Sequence, residues 1–268
     1  MATRKDTLNA KLVKDSKNII LEYLTQIINL SFETSIFPDC MKTAIISPIF
    51  KEGNPDDITN YRPISILPII SKIFERAAAN QIVDFLEKNN LLNRNQHAYR
   101  KSHSTETCLF DLMSDLYKNL DQKFYVAVAK LDLSKAFDSI SHDLLLQKMQ
   151  KLGMENPTIK WLKSYLSDRK QITQFKSYTS TSEIVKSGVP QGSILGPLLF
   201  LCYINDLPDA FHGKCKMLSY ADDTQLLVTA KSKNELKEKL EKAMTAAENW
   251  YKKKLHEKQS RKNRIFIL

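Results

Sequence analysis

The sequence of 268 residues has few cysteines, few glycines and no long apolar run. Its four cysteines, at positions 40, 108, 202 and 215, lack paired short spacings, which argues against a zinc site or a disulfide framework and fits a reducing compartment. No stretch reaches the ~18 apolar residues that a membrane-spanning helix needs. The polar N-terminus also lacks the apolar core of a signal peptide. These absences predict a soluble intracellular protein.

Acidic residues are also in deficit. Forty lysines and arginines face 30 aspartates and glutamates, which leaves a net charge of +10. Such an excess suits a polyanionic partner, because phosphate contacts by lysine and arginine dominate affinity for nucleic acids. Basic surfaces also occur for solubility alone. The charge is therefore compatible with a nucleic-acid-binding protein but does not identify one.

Two adjacent acids, Asp222 and Asp223, stand between short apolar runs that predict two β-strands joined by a tight turn. A partly buried pair of carboxylates is costly unless a cation is near. A solvated Asp-Asp turn is the commoner explanation of such a pair, since aspartate is a frequent turn residue. The pair becomes informative only together with a second acid elsewhere in the chain.

That second acid is Asp132, at the end of the strand-like run over residues 126–132. It lies 90 residues before Asp222, so the two can meet only through tertiary structure. Carboxylates on neighbouring strands suit Mg²⁺, and two such ions clamp the attacking and leaving oxygens of a phosphoryl transfer. Because side chains alternate along a strand, we predict Asp132 and Asp222 as the metal ligands and place Asp223 second.

Three of the six glycines, at positions 188, 192 and 196, fall in one short stretch. This concentration predicts close backbone approach or unusual dihedral angles. The apolar run that follows, to Ile204, predicts a buried helix.

Taken in order, these elements resemble the reverse transcriptase domain of non-LTR (LINE-type) retrotransposons, and they are most similar to the jockey and CR1-like groups. The resemblance covers roughly residues 18–268. Its motifs include Leu131-Asp-Leu-Ser-Lys-Ala-Phe-Asp138 and Tyr220-Ala-Asp-Asp223. The other matching stretches are residues 48–55, 60–65, 96–106, 188–197 and 203–208.

The resemblance implies an α+β fold of the right-hand polymerase type. Residues 1–122 are then expected to form the fingers, and residues 123–268 the palm, an antiparallel sheet backed by helices. The chain is expected to end before a thumb and to carry no preceding endonuclease.

The resemblance also implies RNA-directed DNA polymerase activity with two Mg²⁺ ions, for which Mn²⁺ is a possible substitute. Its partners would be an RNA template, a DNA primer and deoxynucleoside triphosphates, with no membrane and no small-molecule cofactor, and residence in the nucleus. Catalytic roles fall on Asp132, Asp222 and Asp223, the first two as metal ligands. The nucleotide-binding residues that the resemblance implies are Arg62, Arg100, Lys101, Phe137 and Gln191.

Each of these nucleotide-binding assignments has a structural alternative. Arg62 and Arg100 could be salt-bridging arginines instead of phosphate ligands. The resemblance places Phe137 under the sugar, where its ring would exclude a 2′-hydroxyl, but Phe137 could instead be an ordinary core residue. The resemblance assigns Gln191 to the template or nascent base pair, but Gln191 could instead be a helix-capping amide. For the whole chain, the alternative is an inactive remnant that only binds nucleic acid, and the aromatic at 137 disfavours an RNA-dependent RNA polymerase.

Local patterns predict the remaining elements. An N-terminal helix over residues 18–37 is expected to bury its apolar face in the core. Ala98 and Ser102 stand where relatives usually carry glycine, so a positive φ there would strain the backbone by roughly 1 kcal/mol or more each. Further helices are predicted at residues 73–86, 105–120, 142–152, 157–166 and 234–250, the third and fourth backing the palm sheet.

Overall fold

The computed structural model describes residues 8–132, 137–254 and 264–267, without the side chains of Asp132 and Arg264. The chain forms two compact units, each built from two separate segments. Unit 1 comprises Met1–Leu86 and His142–Leu199, and unit 2 comprises Glu87–Ser141 and Phe200–Leu268. The division into fingers and palm at residue 122 stays a prediction.

The described residues mix helices and strands. The helices, in chain order, are α1 (Ala10–Asp15), α2 (Lys17–Thr34), α3 (Ile69–Lys88), α4 (Thr105–Asp121), α5 (His142–Lys151), α6 (Asn156–Leu166), α7 (Leu195–Ile204) and α8 (Lys233–Lys254). The strands are β1 (Thr43–Phe50), β2 (Tyr61–Ile66), β3 (Tyr125–Asp132), β4 (Lys170–Phe175), β5 (Tyr178–Thr179), β6 (Glu183–Ile184), β7 (Lys216–Tyr220), β8 (Asp223–Ala230) and β9 (Arg264–Ile267). Short 3₁₀ helices add Asp39–Met41, Ile58–Asn60 and Pro208–Phe211.

The sheet of unit 1 has the order β2-β1-β4-β5, with β6 also paired to β4. β1 runs antiparallel to β2 and parallel to β4. Also in unit 1, Phe37 packs edge to face against the rings of Phe74, Trp161 and Tyr165, with ring centroids 5.1 to 6.1 Å apart. Such contacts add stabilisation beyond the area they bury.

Helix α2 confirms the predicted N-terminal helix but not its burial. Ile19, Tyr23 and Leu30 keep 75%, 65% and 57% of their surface exposed, and Ser31 is the one buried residue of the helix. The helix is held at its C-terminal end, where Trp161 Nε1 donates to Ser31 Oγ at 2.9 Å. The prediction of burial failed because α2 carries apolar side chains on more than one face, so their spacing alone did not identify a single packed face.

The sheet of unit 2 is antiparallel throughout, in the order β7-β8-β3-β9. Helix α4 packs on it through Cys108, Leu112 and Leu116, which form a buried cluster with Val126, Leu218 and Leu227. Helix α8 contacts β3 and β8, and its buried residues include Leu236, Leu240, Ala243 and Ala247. The predicted antiparallel sheet backed by helices is therefore confirmed.

The helices that back this sheet differ from the expected ones. Helices α5 and α6 pack on each other, and α6 packs on α2, all within unit 1. The role predicted for them is taken by α4 and α8. The predicted buried helix after the glycine-rich stretch is present as α7, whose residues 198–204 are all buried. None of the helices in the described part of the chain is long and apolar enough to span a bilayer.

Candidate active site

The two adjacent acids lie at a two-residue β-hairpin. Tyr220 at the end of β7 pairs with Asp223 at the start of β8, so Ala221 and Asp222 form the loop. Ala221 has φ +55°. A positive φ at the first loop position alone is the pattern of a type II′ turn, which matches the twist of paired strands. The predicted tight turn is confirmed.

Strand β3 brings the third acid to this hairpin. β3 pairs with β8 over eight positions, and the ladder ends with Asp132 opposite Asp223. The sheet thus closes the 90-residue separation and puts the backbone of Asp132 beside the turn that carries Asp222. The register thus places Asp132 opposite Asp223, and a shared site of Asp132 and Asp222 stays a prediction.

The environments of Asp222 and Asp223 differ. Asp222 is half-buried in the loop, whereas Asp223 is exposed and its Oδ1 lies 2.8 Å from Lys130 Nζ. Because Asp222 belongs to the loop and not to a strand, strand alternation does not separate the two acids as expected. The two acids differ instead in exposure and in the ion pair that Asp223 forms with Lys130.

The donors at this edge of the sheet fit a divalent cation. Carboxylate oxygens are the hard ligands that Mg²⁺ prefers, usually one or two of them together with substrate phosphates. Asp222 lies in the loop, and Asp132 is one strand away in the ladder. Within the side chains that the structure describes, no three His, Cys, Asp or Glu residues gather as a metal site. The carboxylate of Asp132 lies outside that set.

The glycine-rich stretch is attached to β2 in unit 1. Ser65 N donates to the carbonyl oxygen of Gln191 at 2.7 Å. Gly192 follows with φ +106°, and a Cβ there would lie 2.9 Å from Ser65 O. A glycine is therefore required for both reasons, as the sequence predicted. Arg62, three positions before Ser65 on the same strand, is exposed.

Glu75 of α3 was not among the predicted site residues, yet it holds this stretch in place. Its side chain is fully buried and accepts hydrogen bonds from Ser71 Oγ (2.9 Å) and from Ile194 N (2.7 Å) and Leu195 N (3.2 Å). The last two are N–H groups at the start of α7, where the helix itself provides no acceptor. The sequence signal was present, because Glu75 lies on the face of α3 that buries Phe74, Ala78, Ala79, Ile82 and Leu86.

The caps of α7 bear on the alternative for Gln191. Ser193 Oγ accepts from Gly196 N at 2.9 Å, so Ser193 and Glu75 together satisfy the N–H groups of residues 194, 195 and 196. Glu75 and Ser193 therefore cap these N–H groups, which is the role that the structural alternative assigned to the Gln191 amide. The assignment of Gln191 to the template or base pair stays a prediction.

Arg100 is held inside unit 2. Its Nε and Nη2 each lie 2.9 Å from a carboxylate oxygen of Glu87, and Nη1 donates to Asn93 O at 3.0 Å. This fork lowers the pKa of Glu87 below its usual value, mainly through the side-chain hydrogen bond. A phosphate would have to compete with Glu87 for this guanidinium, whereas neighbouring Lys101 is exposed.

The backbone after Gln96 is strained at one of the two anticipated positions and at one other. Ser102 has φ +62°, which agrees with the expectation, whereas Ala98 has no positive φ and Tyr99 has φ +57°. Partial desolvation and the negative charge of the Asp222 carboxylate raise the pKa of the Tyr99 hydroxyl, although the residue keeps about half of its surface exposed. Strained residues of this kind are frequent at functional sites.

Phe137 lies just after a segment outside the described residues. Its ring is half-buried and stacks on Phe200, with centroids 4.4 Å apart and planes inclined by 17°. This stacking holds the Phe137 ring against Phe200 of α7. It leaves both the sugar-excluding role and the core alternative as predictions.

The chain is similar to known transposon proteins. Residues 49–266 match the family described as reverse transcriptase (RNA-dependent DNA polymerase). The probable RNA-directed DNA polymerase from transposon BS of Drosophila melanogaster is 35% identical over 238 residues, which cover 86% of this chain and 26% of the relative. The corresponding protein of the fly's X-element is 38% identical over 231 residues, 85% of this chain and 25% of that protein.

The RNA-directed DNA polymerase from the Drosophila melanogaster mobile element jockey is 30% identical over 260 residues, 93% of this chain and 28% of the relative. The chain thus spans about a quarter of the length of these relatives. Among solved structures, an apo telomerase from Candida tropicalis truncated from its C-terminal domain superposes with a TM-score of 0.61 at 15% identity. The superposition covers 87% of this chain and 51% of the telomerase chain. The predicted fold and the resemblance to jockey-type elements are confirmed: this chain belongs to the reverse transcriptase (RNA-dependent DNA polymerase) family.

Proposed function

We propose that this chain catalyses RNA-directed DNA synthesis. A primer 3′-hydroxyl attacks the α-phosphorus of a deoxynucleoside triphosphate, a new phosphodiester bond forms, and pyrophosphate leaves. The observation that carries the proposal is the strand register that sets Asp132 opposite Asp223 beside the Asp222 turn. Family membership supports the same reaction.

In this proposal Asp132 and Asp222 supply the carboxylate oxygens that hold divalent metal. When bound, two Mg²⁺ ions, or Mn²⁺, would lower the barrier by stabilising charge on the attacking and leaving oxygens. Asp223, paired with Lys130, keeps the edge of the sheet charged without offering a fully available carboxylate. Loss of Asp222 is therefore expected to harm the reaction more than loss of Asp223.

The nucleotide-binding roles are assigned residue by residue. Arg62 and Lys101 are exposed cations suited to phosphate oxygens, Arg62 through its planar fork. Gln191 is assigned to the template or nascent base pair, and Phe137 to exclusion of a 2′-hydroxyl. Arg100 is assigned to phosphate only if a nucleotide displaces Glu87 from its guanidinium.

The test measures incorporation of deoxythymidine triphosphate on a poly(A) template with an oligo(dT) primer and Mg²⁺. Asp222→Asn is expected to lower the rate by about 1,000-fold, since metal coordination contributes several kcal/mol to the transition state. Asp209→Asn removes the same charge from an exposed position of a 3₁₀ helix and is the matched control.

Three outcomes distinguish the candidates. Synthesis by the parent and by Asp209→Asn, but not by Asp222→Asn, supports the polymerase. Primer–template binding by the folded parent without any synthesis would leave the alternative of a remnant that only binds nucleic acid. Equal synthesis by the parent and Asp222→Asn would overturn the assignment of Asp222.

A further inference from the structure

The segment that precedes Arg100 is attached directly to the strand that leads into the Asp222 turn. Ser219 N donates to Asn95 O at 2.9 Å, and His97 N donates to Ser219 O at 2.8 Å. Gln96 therefore lies beside Ser219 in a parallel bridge. Ser219 is only two residues before Ala221, so this bridge holds Gln96 at the base of the turn.

The side chain of Gln96 extends this attachment into the turn. It is 5% exposed, and its Oε1 accepts from Ala98 N at 2.9 Å and from Ala221 N at 3.3 Å. One carbonyl oxygen thus uses both of its lone pairs on two backbone N–H groups. If Gln96 were replaced by an apolar residue, Ala221 N–H would lose this acceptor. Because Ala221 is itself buried, water could not take its place.

The turn needs such support because its backbone is strained. Ala221 has φ +55°, a sparsely populated conformation that costs a residue with a Cβ roughly 1–3 kcal/mol. Strain of this kind persists only where the surroundings hold it. Without the acceptor on Ala221 N, an unstrained turn becomes competitive, and the peptide that joins Ala221 to Asp222 would reorient with it.

The geometry points to Gln96 as a positioning residue that orients the Asp222 carboxylate through the Ala221 N–H. The inference rests on the proposed function, in which Asp222 is a metal ligand. Groups that orient metal ligands from behind typically change metal affinity or activity by 10–100-fold when removed. Gln96 touches neither substrate nor metal in this scheme, so its effect is indirect.

The test compares two substitutions at this position. Gln96→Met keeps the length of the side chain but removes the carbonyl acceptor, whereas Gln96→Glu keeps an oxygen there. We expect Gln96→Met to weaken Mn²⁺ binding, followed by the electron paramagnetic resonance of free Mn²⁺, by about 10-fold or more. Gln96→Glu should recover most of that loss. Hydrogen exchange at Ala221 N–H should accelerate in Gln96→Met alone.

Asn205 provides a matched control. Its amide also attaches this stretch of chain, since Oδ1 accepts from Asn93 N and Nδ2 donates to Leu91 O, both at 2.8 Å, and neither of these hydrogen bonds involves the turn. Asn205→Leu should lower the denaturation midpoint and leave Mn²⁺ affinity unchanged. A purely structural role for Gln96 would make the two variants alike.

The failures of the two proposals are distinguishable. A parent chain whose Mn²⁺ binding is unaltered by Asp222→Asn overturns the proposed function. A parent that loses Mn²⁺ binding in Asp222→Asn but keeps it in folded Gln96→Met overturns the role of Gln96 alone. Equal weakening by Asn205→Leu and Gln96→Met would also overturn it.

Discussion

At the scale of single residues, two glycines with positive φ differ in what surrounds them. At Gly192, with φ +106°, a Cβ would lie 2.9 Å from Ser65 O, whereas at Gly213, with φ +72°, no heavy atom beyond the glycine and its two chain neighbours lies within 4 Å of that position. Gly213→Ala is expected to lower the free energy of unfolding by about 1 kcal/mol from dihedral strain. Gly192→Ala adds a backbone clash and should cost about 2–4 kcal/mol.

Urea denaturation of both glycine variants measures the difference. A larger loss at Gly192, together with weaker primer–template binding, would show that the contact between residues 65 and 192 matters for the stretch that contains Gln191. Equal losses in the two variants would show that the contact with Ser65 O contributes nothing beyond the dihedral strain.

His97 makes stability depend on pH. It is 3% exposed, and burial lowers its pKa below 6.5, against the raising effect of Asp111, while His103, Arg100 and Lys216 lower it further. The unfolded chain therefore takes up a proton near pH 6.5 that the folded chain resists. Stability is fully present above this pH and falls as the pH drops through it.

Substitution of His97 should remove that dependence. His97→Gln is expected to lower stability at neutral pH, because the Nδ1 contact with Thr107 Oγ1 is altered, and to flatten the decline between about pH 7 and 5. His212→Gln changes an exposed histidine and should keep the decline of the parent. Denaturation midpoints measured across this range decide, and an unchanged slope in His97→Gln would contradict the argument.

At the scale of elements, α7 depends on a buried acid from α3. Glu75→Leu would leave Ile194 N, Leu195 N and Ser71 Oγ without their acceptor, and should lower the free energy of unfolding by about 2–4 kcal/mol. Glu238→Leu replaces an exposed helical glutamate and should change it little. Denaturation curves measure both, and similar losses would argue against a special role for Glu75.

Helices and strands differ in how much of them the sequence predicted. The 3.6-residue spacing of apolar residues predicted α4, α6 and α8 closely, because each has a single packed face. The same spacing wrongly predicted a buried apolar face for α2. This helix carries apolar side chains on more than one face, and its only buried residue lies near its C-terminal end. It also could not tell which sheet each helix would cover, since that depends on contacts distant in sequence.

At the scale of the whole molecule, the net charge of +10 predicts salt-dependent binding of nucleic acid. Lys252, Lys253 and Lys254 form the last turn of α8. Replacing all three by glutamine should reduce the slope of log affinity against log salt by up to about 2 for single strands, if each contacts a phosphate. The same change at Lys11, Lys14 and Lys17 is the control of equal charge.

Fluorescence anisotropy of a labelled oligonucleotide over a range of salt concentrations measures this slope. A reduction confined to the α8 variant would identify the end of that helix as part of the nucleic-acid surface. Equal reductions in both variants would show that binding is spread over the basic surface and has no preferred position at α8.

By itself, the sequence determined that two adjacent acids lie at a tight turn between strands, and that the stretch with glycines 188, 192 and 196 needs close backbone approach or unusual dihedral angles. These features are local, since turn chemistry and a missing Cβ act within a few residues. The sequence also carried the family motifs, from which the fold and the candidate metal ligands could be predicted.

Only the tertiary structure decided which groups these residues meet. Four of these contacts join residues that are far apart in sequence or on different elements. They are the register of β3 against β8, the ion pair of Lys130 with Asp223, the hydrogen bonds of buried Glu75 to the start of α7, and the contact of Gln96 with the Asp222 turn. No local periodicity encodes such partners. They follow from which faces are buried together when the chain folds, because a buried polar group must find a partner there.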